Sequence, residues 1–176
     1  MGKAGGQYSH FADLNDGISD RICNLTTMKR AEMYEGEGVQ VFHGNCMTLL
    51  AEIPDQSIDL IFADPPYNIG KKFSEFDDVW PSEAIYMDWC YRWLELCIQK
   101  LKPEGSMYIM ASTQCMPYFD LWIRERVSVL SRIVWHYDSS GVQAKKYFGS
   151  LYEPLLFCVK DPNSYTFNAQ DIEVER

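Results

Sequence analysis

The sequence predicts an α/β fold built on an open, mostly parallel sheet with an antiparallel strand near its C-terminal end. Three observations carry that expectation. Residues 57–63 form a nearly continuous apolar run, Ser57-Ile58-Asp59-Leu60-Ile61-Phe62-Ala63, the pattern of a central strand covered on both faces. Tyr86, Cys90, Trp93, Cys97 and Leu101 recur at intervals of three and four, as one face of a helix does. The last two β-favouring segments, 127–137 and 154–159, have no helical pattern between them, which makes that final pair antiparallel.

Taken in order, residues 1–37 are rich in Gly, Ser, Asn and Asp without a sustained hydrophobic period, and read as a flexible N-terminal extension. Order is expected from Gly38, so that 38–176 forms one folded unit. Val39-Gln40-Val41-Phe42 is a short β-favouring stretch, and Met47-Thr48-Leu49-Leu50 reads as a helix after it. A polar, aromatic loop over 65–81 ends at Ser82, a helix N-cap with Glu83 in the first turn; Lys100, Lys102, Pro103 and Gly105 stop that helix. Gly105 opens a second strand over 106–110. Pro117 suits a helix start, and the helix continues to Arg126. Residues 139–152 form a polar loop holding Lys145 and Lys146 and no acidic residue.

The chain of 176 residues suits a single domain. No apolar run approaches the roughly 18 residues of a membrane span, and no apolar stretch follows the N-terminal glycines as in a secretory signal. A cytoplasmic protein with no membrane partner is therefore expected. Six cysteines (Cys23, Cys46, Cys90, Cys97, Cys115, Cys158) lack a Cys-x-x-Cys pair and read as buried free thiols. His10, His43 and His136 show no metal-ligand spacing, so no metal centre is expected. The formal net charge of −9 argues against tight binding to a polyanion by this chain alone.

The densest chemistry is Asp64-Pro65-Pro66-Tyr67, directly after the apolar run. An exocyclic amino group of a nucleobase is a poor nucleophile because its lone pair is drawn into the ring. Acceptors that hold its N–H bonds localise that pair. Asp64 can offer a carboxylate oxygen and Pro65 a backbone carbonyl, while two successive prolines stiffen the loop and remove competing N–H groups. Tyr67 can stack on a base swung out of a duplex. The carboxyl end of a buried strand is also where open α/β sheets bind ligands. Against this, Asp-Pro is common at strand ends and Pro-Pro-x-Tyr occurs in interaction motifs.

Context decides between the two. The tetrapeptide is followed by Asn68-Ile69-Gly70 and by an amphipathic helix leading to Leu101-Lys102-Pro103-Glu104-Gly105-Ser106. Together these resemble the amino-methyltransferases of DNA, in particular the β group of adenine-N6 enzymes whose catalytic motif precedes the target-recognition region. The resemblance runs from Val39 to about residue 174. It implies a Rossmann-like methyltransferase sheet, a DNA substrate, and S-adenosylmethionine as methyl donor. Carried over residue by residue, Asp64, Pro65, Pro66 and Tyr67 become catalytic, with Asn68 beside them in the target-base pocket. Asn45, Cys46, Asp64 and Trp89 fall at the methyl donor. Tyr67, Asn68, Ser139, Lys145 and Lys146 face DNA, the last three in and after the strand-and-loop motif Trp135-His136-Tyr137-Asp138-Ser139-Ser140-Gly141. As helix aromatics, Trp89 and Trp93 read first as core and only second as a wall of the donor site. Relatives commonly have an acidic residue where His43-Gly44-Asn45-Cys46 has Asn45, an acceptor without charge.

The family's Phe-x-Gly-x-Gly turn and its ribose-binding acid do not occur. The only Gly-x-Gly, Gly36-Glu37-Gly38, precedes the first expected strand instead of following one. The resemblance thus implies a catalytic part truncated before the recognition region and the donor's glycine motif, with an incomplete sheet and donor site. An exposed sheet edge is expected, to be completed by a second copy or a complementary chain. Three readings follow: an adenine-N6 DNA methyltransferase, solitary or from a restriction-modification system; a non-catalytic remnant or half enzyme acting as a binding module; and a cytosine-N4 enzyme using the same acceptors.

Overall fold

A computed structural model describes residues 32–73, 77–138, 146 and 148–172. The chain divides into two compact units, Met1–Asn45 and Cys46–Arg176. In the first, strands β1 (Glu32–Gly36) and β2 (Val39–His43) form an antiparallel hairpin in which Gly36 pairs with Val39. Gly38 turns the chain at φ +71°, a conformation that costs an L side chain energy. Order therefore begins ahead of Gly38, and the Gly-rich segment expected to end an extension is a hairpin turn. Residues 1–31 of that extension, with His10 and Cys23, lie outside the described residues.

The second unit runs α1 (Cys46–Glu52), β3 (Ile58–Ala63), α2 (Glu83–Lys100), β4 (Leu101–Met110), α3 (Met116–Ile123), β5 (Ser128–His136), β6 (Tyr152–Val159) and a 3-10 turn at Ala169–Ile172. The sheet order is β3-β4-β6-β5. β3 and β4 are parallel, and β6 is antiparallel to both β4 and β5, so β6 alone runs against the other three strands. The mixed sheet with its late antiparallel strand is the expected one.

Helix α2 starts where the sequence places it. Ser82 accepts from the Ile85 N–H at 3.3 Å, and Glu83 sits in the first turn. At its other end Lys160 Nζ donates to the Ile98 and Leu101 carbonyls at 3.0 and 2.8 Å, taking acceptors the helix leaves unpaired. Its apolar stripe, Tyr86, Cys90, Trp93, Leu94 and Cys97, joins Phe119 and Ile123 of α3 over Met107, Ile109, Leu156 and Cys158 of the sheet. Each fully buried large side chain there contributes about 1.5–3 kcal/mol. Burial raises the thiols of Cys90, Cys97 and Cys158 to about 12, so they stay neutral. Cys115 is also buried, but Cys46 is exposed, against the expectation for all six.

On the opposite sheet face Tyr108 stacks on Phe157 with ring centroids 4.8 Å apart, and Phe157 meets Tyr165 and Phe167 of the following segment. Here the expectation of a strand covered on both faces fails. β3 is an edge strand, and Leu60 and Phe62 are each 59% exposed. The apolar run is that of a doubly covered strand, but among the described residues helices meet only one of its faces. No helix is long and apolar enough to cross a membrane, and no group of three His, Cys, Asp or Glu side chains could hold a metal among the described residues.

One close contact joins β4 to β3, and one ion-pair cluster joins α3 to β5. Gly105 passes so near Asp59 and Leu101 that a Cβ would lie 3.1 Å from the Asp59 carbonyl and 2.8 Å from Leu101 Cδ1. Asp120 on α3 takes Arg124 at 2.6 Å and Arg132 of β5 at 2.6 Å. Desolvation pushes this carboxyl up, but the Arg132 and Arg124 hydrogen bonds outweigh it and the pKa falls below its usual 3.8. Gly105→Ala should cost roughly 1–3 kcal/mol by overpacking, seen as a lower Tm in thermal melts. The Asp120 contribution is present above the usual carboxyl pKa and is lost as pH falls through the lowered value. Asp120→Asn should therefore lower stability at pH 7, with the difference from wild type shrinking in acid.

Candidate active site

Four residues after β3 follow the sheet's carboxyl edge: Asp64, Pro65, Pro66 and Tyr67. Two side chains outside this motif hold it in place. Tyr86, fully buried on the first turn of α2, donates its hydroxyl to the Pro66 carbonyl at 2.8 Å. Asp78, 2% exposed, accepts the Asn68 N–H at 2.7 Å and the Ile69 N–H at 3.1 Å. The Gly70 N–H bonds the Asp78 carbonyl at 2.9 Å, and the Asn68 side-chain oxygen accepts the Trp80 N–H at 2.9 Å. Asn68 sits at φ +57° and Gly70 at +75°, a left-handed pair that only such residues enter cheaply. The chain so reverses sharply behind Tyr67.

Because Tyr86 takes the Pro66 carbonyl, the Pro65 carbonyl is the one left without a donor among the described residues. Asp64 is exposed, and its Oδ1 accepts the Tyr67 hydroxyl at 2.8 Å. The motif thus presents a carboxylate and a carbonyl side by side along the chain, both with lone pairs to spare. Desolvation, then the Asp64 hydrogen bond, raises the Tyr67 pKa well above its ordinary value, so the phenol keeps its proton. A second carboxylate, Glu153 Oε2, lies 3.2 Å from the same hydroxyl. Running against β4, strand β6 brings its first residues to the end of the sheet where β3 and β4 finish.

Of the other expected residues, Trp89 is half-buried against Trp80 at 5.1 Å and Tyr86 at 6.3 Å, whereas Trp93 is core at 4% exposed. Trp93 Nε1 is buried without an oxygen or nitrogen partner. Cys46 opens α1; the residue as a whole is exposed, but its thiol is partly shielded from water, which raises its pKa, so it is no anionic ligand. Asn45 closes the first unit. Asn68 spends its oxygen on the loop, leaving its amide donors toward any ligand. Lys146 is exposed, while Ser139 and Lys145 lie outside the described residues. Trp135, paired with Glu153 across β5 and β6, is 58% exposed at the same sheet end. Sequence reasoning missed Asp78, Tyr86 and Glu153. Only Tyr86 left a signal, as a polar-tipped aromatic on a helix face.

The DNA methylase family model matches residues 58–176. The chain is 51% identical over 142 residues to the DNA adenine methyltransferase YhdJ of Escherichia coli K12, covering 81% of this chain and 48% of that protein. It is 30% identical to the Type II methyltransferase M.BamHI of Bacillus amyloliquefaciens, over 77% of this chain and 32% of that one. The chain thus spans about half the length, or less, of these curated relatives. TTHA0409, a putative DNA modification methylase of Thermus thermophilus, shares the fold at a TM-score of 0.54 and 19% identity, over 73% of this chain and 56% of that one.

The loop geometry predicts unequal effects at Asp78. Asp78→Ala leaves two inward N–H groups unpaired and should cost about 2–4 kcal/mol; Asp78→Asn keeps one acceptor and should cost about half as much. Chemical denaturation ranks the pair, and an equal effect would mean the carboxylate does not hold the loop.

Proposed function

This chain belongs to the N6/N4 DNA methylase family, and we propose that it carries the base-acceptor half of a DNA adenine-N6 methyltransferase. The observation that carries the proposal is the pairing of the Asp64 carboxylate with the uncommitted Pro65 carbonyl at the end of β3. An amino group needs two acceptors for its two N–H bonds before its lone pair can attack. Asp64 and Pro65 are those acceptors, whereas the Pro66 carbonyl already accepts the Tyr86 hydroxyl. Adenine is favoured over cytosine by the 51% identity to an adenine enzyme, since the acceptor chemistry itself suits either base.

Asp64 takes one amino proton into a charge-assisted hydrogen bond, which draws electron density onto nitrogen as the new bond forms. Tyr67 remains a neutral phenol and supplies an aromatic face for a base removed from the duplex. Asn68 contributes amide donors beside it. S-adenosylmethionine would supply the methyl group. The described residues fit that donor only in part: Gly36-Glu37-Gly38 is a hairpin turn, not a turn from strand to helix. Cys46 as a neutral thiol, Asp64, Trp89 with its partly exposed ring, and Asn45 are the residues proposed on the donor side.

Ser139, Lys145 and Lys146 are proposed to meet DNA phosphate, in a chain whose net charge of −9 supplies no general attraction. The free edge of β3 with exposed Leu60 and Phe62 supports completion of the sheet by further polypeptide, from a second copy or a complementary chain. A cytoplasmic location follows from a DNA substrate. We propose residues 38–176 as the catalytic part and 1–37 as an extension to it whose last residues, Glu32–Gly36, pair with β2 as the first strand of the hairpin.

Labelled S-adenosylmethionine and unmodified DNA test the reading. Asp64→Ala should lower methyl transfer on the order of a hundredfold or more while leaving the far-ultraviolet circular dichroism unchanged. Equal transfer by both forms would reject it.

A further inference from the structure

Glu153 has no part in the acceptor pair, yet its carboxylate reaches the hydroxyl that bonds Asp64. The Tyr67 oxygen is 2.8 Å from Asp64 Oδ1 and 3.2 Å from Glu153 Oε2. A phenol has one proton to donate, so the two carboxylates compete for it. When the hydroxyl points to Asp64 it occupies one of the several lone pairs on that carboxylate, at the oxygen Oδ1. It also drains charge from the carboxylate and weakens it as an acceptor. When it points to Glu153, Asp64 is released at full strength.

The local backbone supports a fixed second acceptor. Glu153 pairs with Trp135 across β5, and Pro154 follows it one residue beyond the last pairing of β6 with β4, at Met110 and Leu155. Pro154 lies past the β4 pairing and opposite Val134 of β5, and its ring restricts the backbone of Glu153 to an extended form. The carboxylate is thus held on a strand, not on a loop. Desolvation and both carboxylates keep the phenol protonated, so a proton is present to be shared.

We propose that Glu153 is a positioning residue for base methylation: it accepts the Tyr67 hydroxyl in the loaded site and so frees Asp64 for the amino group. The proposal rests on the methyltransferase reading above. It differs from a merely structural role, in which Glu153 would only anchor the Tyr67 ring. A glutamine can anchor the ring equally well through its amide, but as a neutral acceptor it competes poorly with Asp64 for the phenol proton.

The test uses the whole chain with tyrosine labelled by ¹³C at Cζ, the Tyr67 resonance being identified by its loss in Tyr67→Phe. Glu153→Gln should shift that resonance without DNA present. In methyl-transfer assays Glu153→Gln should lower kcat about tenfold, the scale of one charge-assisted hydrogen bond, with KM within about twofold. In the Tyr67→Phe background, where no phenol proton exists, adding Glu153→Gln should change kcat by less than about twofold. A Tyr67 resonance unmoved by Glu153→Gln overturns the proposal. So do equal losses in both backgrounds, which leave the methyltransferase reading standing. A wild-type chain that transfers no methyl group removes that reading, and the proposal falls with it.

Discussion

The buried carboxylate of Asp78 is the constraint on which the acceptor loop depends. A strand end followed by two prolines is stiff but not directed, since proline sets its own φ and leaves the chain beyond it free to leave the sheet in several ways. Asp78 removes that freedom by taking the Asn68 and Ile69 N–H groups, which forces Asn68 into the left-handed region and turns the chain back. Without the carboxylate those two N–H groups would face the protein interior unpaired, at about 1–3 kcal/mol each. Tyr86 then bonds the Pro66 carbonyl and ties the loop to the most deeply packed helix. The orientation of the Pro65 carbonyl and the Asp64 carboxylate is a consequence of both restraints.

The direction of one strand has as much chemical consequence as the motif itself. Had β6 run parallel to β4, its first residues would lie at the far end of the sheet and Glu153 could not approach Tyr67. Antiparallel pairing with β4 over Ser106 to Met110 puts Tyr152 and Glu153 beside the ends of β3 and β4. The same strand buries Leu155 through Val159 in the sheet's centre, so the residue that reaches the site rides on one of the least mobile segments.

The uncovered side of the molecule has a different character. Tyr108, Phe157, Tyr165 and Phe167 form a partial aromatic layer over the second sheet face, but Leu60 and Phe62 on β3 remain largely exposed beside a strand edge that has no partner among the described residues. Exposed apolar residues on an unpaired edge are unfavourable for an isolated chain.

What the sequence determined by itself is local. The strand before Asp64, the Ser82-capped helix and the acceptor chemistry of Asp64 and Pro65 are all written in residues near one another, where hydrophobic period, capping and proline stiffness act over a few positions. The double cover expected of β3 fails for the same reason: an apolar run reports what a strand can bury, not which neighbours lie on either side. Only the tertiary structure decided that Asp78, ten residues on, would clamp Asn68, and that Glu153, 86 residues away, would share the Tyr67 hydroxyl. Such contacts depend on strand order and direction, which emerge when the whole sheet packs against α2 and α3 and leave no periodic trace around the residues that meet.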